Sequence, residues 1–73
     1  MAYVLINTDM GSDSIVGDEL KKIEEVKEVY GVYGVYDIVI KLEAENLDEL
    51  KEFISTKIRG MEGVKSTLTM IVM

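Results

Sequence analysis

Apolar residues along this chain fall into two successive units of the same order. Ala2 to Thr8 is a short apolar, β-branched run, long enough for a strand and too short for a helix. Gly11-Ser12-Asp13-Ser14 follows as a loop with several possible helix N-caps. Val16, Leu20 and Ile23 then recur at helical spacing, with Asp18, Glu19, Lys21, Lys22 and Glu24 on the other side. Gly17 lies in this stretch and predicts an irregular first turn, since glycine costs up to about 1 kcal/mol in a helix relative to alanine. From Val29 to Tyr33 a strand pattern resumes, and Gly31 inside it predicts a bulge or a close backbone approach.

The second unit opens at Asp37. Ile38, Ile40 and Leu42 share one face of a strand, with Val39 and Lys41 on the other. Asn46, with Glu49 three residues on, is a capping-box start. Leu47, Leu50, Ile54 and Ile58 form the apolar stripe of the helix that follows, widened by Phe53. Gly60 and Gly63 bracket the helix exit, and Val64 to Met73 reads as a final strand. The order βαββαβ predicts a single α+β domain over residues 1–73. Its architecture is the ferredoxin-like plait, a four-stranded antiparallel sheet with two helices on one face.

Both faces of the end strands are apolar. The first carries Tyr3 and Leu5 on one side and Val4 and Ile6 on the other; the last carries Leu68, Met70 and Val72 opposite Ile71 and Met73. A two-layer plait alone in water should instead alternate apolar and polar residues. A second sheet from an identical subunit would cover the exposed side. The alternative, which the interspersed polar Asn7, Thr67, Thr69 and Lys65 suit, is that these are simply strongly β-prone residues at edges. Length favours the second subunit. For 73 residues the gain from burial and the cost of ordering the chain nearly cancel. No cysteine is present for a disulfide, and there is neither Cys nor His for a zinc cage, so self-association is the remaining remedy.

Charge narrows the partners. Fourteen acids against eight bases give a net charge of −6, and the bases are scattered rather than gathered in a stripe. That argues against DNA or RNA. No stretch reaches the apolar length of a membrane span, and no basic start with a long apolar core marks a signal peptide. The expectation is a soluble, acidic, cytoplasmic domain with no membrane partner.

The residue types limit the chemistry. Without His or Cys the chain lacks the commonest general base, the thiolate nucleophile and the soft metal ligands. Its acids sit mostly in helical stretches, without calcium-loop spacing, and Gly31-x-x-Gly34 and Gly60-x-x-Gly63 lack the pattern of a nucleotide loop. No catalytic residue, metal or cofactor is expected. A binding constellation remains. Asp37 stands between a glycine turn and an apolar strand, where a carboxylate is costly unless water or a cation reaches it. It can accept from a ligand ammonium, while backbone amides near Gly34 are open to a carboxylate. Tyr33 and Tyr36 add rings with polar tips, and Thr67 and Thr69 place two hydroxyls on one strand face. An ammonium acceptor with carboxylate donors suits a free α-amino acid. The competing structural reading has Asp37 satisfied by local turn amides.

The run Glu28-Val29-Tyr30-Gly31-Val32-Tyr33-Gly34-Val35-Tyr36-Asp37-Ile38-Val39 resembles the Gly-x-Tyr-Asp region of the C-terminal effector domain, or RAM domain, of the Lrp/AsnC family. The Leu47-Asp48-Glu49-Leu50 helix, the Gly63-Val64 turn and the Ser66 to Val72 strand fit the same template, so the resemblance covers essentially the whole chain. It implies a plait that dimerises through its sheets into a dimeric α+β barrel, and dimers assembled into an octamer or decamer. It also implies a small effector, an amino acid, bound between dimers. Asp37 then corresponds to the acceptor of the effector ammonium, Tyr33 and Gly34 to flanking contacts, and Thr67 and Thr69 to strand residues lining the cleft. Tyr36 fits the motif or serves packing. Regulators of this family carry a helix-turn-helix domain, and this chain resembles the stand-alone members without one. That implies no direct DNA binding and possible co-assembly with full-length Lrp/AsnC regulators. Rival expectations are a purely structural assembly domain with a vestigial pocket, an ACT-like regulatory module, and a plait enzyme, the last disfavoured by the missing His and Cys.

Overall fold

The structure is a computed structural model, and it describes residues 1–72. Met73, expected in the last strand, lies outside the described residues. Strand β1 spans Ala2–Thr8, helix α1 Asp13–Lys21, β2 Val26–Gly31, β3 Ile38–Leu42, α2 Leu47–Phe53 and β4 Val64–Ile71. The strands form one antiparallel sheet in the order β2-β3-β1-β4, so the ferredoxin-like plait is the observed fold.

Register across the sheet sorts the side chains into rows. Val29-Ile40-Val4-Thr69 and Gly31-Ile38-Ile6-Thr67 are two rows on the helix-bearing side, and Ala2 and Leu42 extend that side. Val4, Ile6, Ile40 and Leu42 are fully buried there, together with Val16 and Leu20 of α1, and Leu50 and Phe53 of α2 are nearly so. The other side of the sheet carries Tyr3, Leu5, Tyr30, Val39, Leu68 and Met70, of which Tyr30, Leu68 and Met70 are about half exposed.

Several boundaries differ from expectation. Helix α1 runs through Gly17 without a break, its flanking Val16 and Leu20 anchored in the core, which outweighs the modest cost of one glycine. It stops at Lys21, so Ile23 packs on the core from the turn that follows. Strand β2 starts at Val26 and ends at Gly31, leaving Tyr33 in the loop. The register slip of β2 falls between Val26 and Glu28 rather than at Gly31, which pairs regularly with Ile38 and has open space around it. Asn46 caps α2 as expected, its Oδ1 accepting from the Glu49 amide at 2.9 Å. Leu47, at the first helical position, is exposed rather than part of the stripe. Beyond Phe53 the helix widens into a π-helical segment, Ile54–Ile58, that still buries Ile54 and Ile58. Gly63, at φ +93°, turns the chain into β4; a Cβ there would lie 3.0 Å from Val16. No helix among the described residues is long and apolar enough to cross a membrane.

Candidate functional site

Asp37 ties three strands together at one end of the sheet. Its amide donates to the Ile6 carbonyl of β1 at 3.0 Å, and its carbonyl accepts from the Val32 amide, just past β2, at 2.8 Å. Its side chain reaches the end of β1, where Oδ2 accepts from the Thr8 amide at 2.9 Å and from Thr8 Oγ1 at 3.0 Å. Among the described residues Thr8 is the one buried polar side chain. The Asp37 carboxylate therefore satisfies two donors that would otherwise be stranded where β1 meets its loop. Both side-chain bonds use Oδ2; Oδ1 has no hydrogen-bond partner among the described residues and reaches solvent.

The residues before Asp37 form an open loop. Tyr33 is fully exposed and Val35 largely so, while Tyr36 is half-buried beside Asp37. Gly34 has φ +145°, a backbone conformation that side-chain-bearing L-residues rarely adopt, so glycine is required at this bend. Two shallow clefts flank Asp37. One, of about 410 Å³, includes Asn7, Asp9, Asp13 and Lys65. The other, of about 220 Å³, runs along α1 past Ser14, Gly17 and Lys21 to Gly31.

The structure thus brings Tyr33, Gly34, Tyr36 and Asp37 onto one loop and strand start. Thr67 and Thr69 lie on the edge strand β4, on the helix-bearing side and half-buried. Thr67 shares a row with Ile38 but stands two strands from β3, roughly 10 Å away by strand spacing. Thr67 borders a depression with Arg59, Val64, Lys65 and Ser66; Lys65 also lines the cleft of about 410 Å³ at Asp37, which includes neither threonine. Sequence reasoning missed Thr8 as the partner of Asp37. The two are 29 residues apart, and only the register of β1 against β3 brings them together. It also missed a network on the helix-free face. There the Tyr30 hydroxyl donates to Glu28 Oε1, and Lys41 Nζ lies 3.3 Å from Glu28 Oε2. The Tyr30 hydrogen bond, with Lys41 beside it, holds the Glu28 carboxyl below its usual range; the bond to Glu28 in turn raises both Tyr30 and Lys41. The spacing of Glu28 and Tyr30, two apart on one strand, was the available signal. Among the described residues no group of acids is arranged to hold a metal ion.

Comparison with known proteins fits this architecture. The family model of the Lrp/AsnC ligand binding domain matches residues 1–73. The HTH-type transcriptional regulator FL11 of Pyrococcus furiosus is 40% identical over 73 residues, a match that takes in all of this chain and 48% of the regulator. This chain therefore spans about half the length of that relative. The crystal structure of the hypothetical protein PHS023 from Pyrococcus horikoshii superposes with a TM-score of 0.93 at 42% identity, covering 99% of this chain and 87% of that one. AsnC of E. coli gives a TM-score of 0.90 at 28% identity, over 97% of this chain and 48% of its own. A ferredoxin-like plait with this loop at the start of β3, matched from end to end, belongs to the Lrp/AsnC ligand-binding domain family.

Proposed function

We propose that this chain is a regulatory module that binds an amino acid, self-associates through the helix-free face of its sheet, and neither contacts DNA itself nor catalyses a reaction. The carrying observation is the geometry of Asp37. Its carboxylate is fixed by the fold yet committed through one oxygen only, which leaves Oδ1 for an ammonium donor from outside. Membership of a ligand-binding family supplies the context for that oxygen. Tyr33, Gly34 and Tyr36 flank the ammonium acceptor on its loop. Thr67 and Thr69 contribute from a neighbouring subunit, since within one chain they stand apart from Asp37. Assembly into rings of dimers, in the cytoplasm and in company with full-length regulators, completes the reading. The net charge of −6 supports the absence of direct DNA contact.

A second reading has an observation of its own. Because Oδ2 already serves Thr8, Asp37 is accounted for as a brace, and the domain would then act through assembly alone. Melting curves of the purified protein with each of the twenty amino acids separate the two. Ligand at a hundredfold excess over its dissociation constant stabilises by about 2.7 kcal/mol. In a domain of this size that raises the melting temperature by roughly ten degrees or more. One or a few amino acids should do so. If none moves the transition, the assembly-only reading replaces the effector site.

A further inference from the structure

Two complete rows of side chains cross the helix-free face of the sheet. Tyr30, Val39, Leu5 and Leu68 form one row; Glu28, Lys41, Tyr3 and Met70 form the other. Glu28 and Lys41 are the only charged residues in these rows, and they stand directly opposite each other in register. Both oxygens of the Glu28 carboxylate are engaged, Oε2 by Lys41 and Oε1 by the hydroxyl that Tyr30 extends from the adjacent row. These two rows are therefore neutral in sum, with Glu43 the nearest further acid to Lys41 at the end of β3, on a chain whose net charge is −6. Two copies of such a chain repel wherever they present its average surface. They approach most easily through a surface such as these two rows, which is largely apolar and carries no net charge. That complementarity identifies the occupant as a second copy of this chain.

We propose that the Glu28–Lys41 pair, braced by Tyr30, is the device that lets charge sit on the self-association face, so that assembly depends on the pair remaining whole. The inference rests on the sheet-face assembly proposed above and adds to it the residues that govern it. While the face is open, the pair is solvated and contributes little to the fold. Once a second sheet covers it, a matched pair with its hydrogen bonds in place is tolerated, whereas a lone charge is strongly unfavourable. Loss of either partner should therefore spare the monomer and penalise the assembly, and loss of both should relieve the penalty. Because a two-fold assembly contains the pair twice, each single substitution acts twice.

Sedimentation velocity across a concentration series, with subunit exchange between two labelled populations, tests this on the full chain. The variants are Glu28→Gln, Lys41→Met, the double substitution, Lys41→Arg and Leu68→Glu, each with its melting curve. Either single neutralising change should weaken self-association by about tenfold or more. The double variant should return to within a few-fold of the wild type, and Lys41→Arg, which keeps the charge, should assemble normally. Neutral variants that assemble as tightly as the wild type overturn the inference, as does a double variant that merely adds the two losses. Leu68→Glu keeps the outcomes distinct. If it alone disrupts assembly, the sheet-face reading stands and the role of the pair fails. If Leu68→Glu is also silent, the sheet face is not the interface and both fall.

Discussion

Substitutions at Asp37 separate its bracing of Thr8 from its proposed hold on a ligand ammonium. Asp37→Ala removes the acceptor for the Thr8 amide and for Thr8 Oγ1, which donate at 2.9 and 3.0 Å from a largely buried position. Each orphaned donor costs about 1–3 kcal/mol. Partial access of water at the strand end brings the expected loss to about 2–4 kcal/mol, a large share of the stability of so small a domain. Asp37→Asn keeps an oxygen that can face Thr8 and gives up only the charge assistance, so it should cost about 0.5–1.5 kcal/mol. The effect on ligand follows a different order. Asparagine offers an ammonium no negative charge, so Asn and Ala should weaken amino-acid binding alike, by about 1.5–3 kcal/mol, or roughly tenfold to over a hundredfold. Denaturant melts and isothermal titration calorimetry on both variants read the two quantities independently. An Asp37→Asn protein that binds amino acid as tightly as the wild type refutes the ammonium role. An Asp37→Ala protein as stable as the wild type refutes the bracing role.

Further expectations follow from glycine geometry, charge and composition. Gly17→Ala, in open space within α1, should stabilise by about 0.5–1 kcal/mol. Gly63→Ala meets Val16 at 3.0 Å from a left-handed backbone and should destabilise by about 1–3 kcal/mol, which thermal melts of the two variants will rank. The Glu28 carboxyl is held below its usual value of 4.5 by Tyr30 and Lys41, so its contribution is present above that pH and lost as pH falls through the lowered value. Lys41 and Tyr30 are raised from 10.5 and 10.0, so their contributions are complete below those values and lost as pH rises beyond them. Sedimentation against pH should therefore show self-association steady through neutrality and weakening at both extremes; a single transition centred near neutrality would contradict it. In a gel-shift assay at moderate salt the protein alone should retain no DNA sequence selectively, and selective retention would contradict the proposed absence of DNA contact.

Strand β3 was legible because Ile38, Ile40 and Leu42 are buried on one face, and β1 as a short apolar run whose Ala2, Val4 and Ile6 enter the core. The α2 stripe was legible from Leu50 onward for the same reason. Strand β2 was harder to read. Its buried residues are Val26 and half-buried Val29, and the register slip between Val26 and Glu28 breaks the two-residue period that would have announced it. The π-helical segment left no mark on the apolar spacing: Ile54 and Ile58 stay buried while the Ile54 carbonyl accepts from Arg59, five residues on. At the candidate site, the turn at Gly34 showed in the local residues, whereas the exposed loop position of Tyr33 did not, since it reads locally as the end of β2. The Thr8 contact and the distance between Asp37 and Thr67 did not, since both are set by strand register, which hydrophobic periodicity along one chain does not encode.

Asp37 is proposed to hold the ammonium of a bound amino acid while still bracing Thr8. A crystal structure of the assembled protein, grown with the amino acid that most raises its melting temperature, tests that most directly. The account predicts the ligand ammonium within hydrogen-bond distance of Asp37 Oδ1, Oδ2 still on Thr8, and Thr67 or Thr69 of a neighbouring subunit lining the same cleft. Density for the ligand elsewhere, with Asp37 engaged by Thr8 alone, would contradict it.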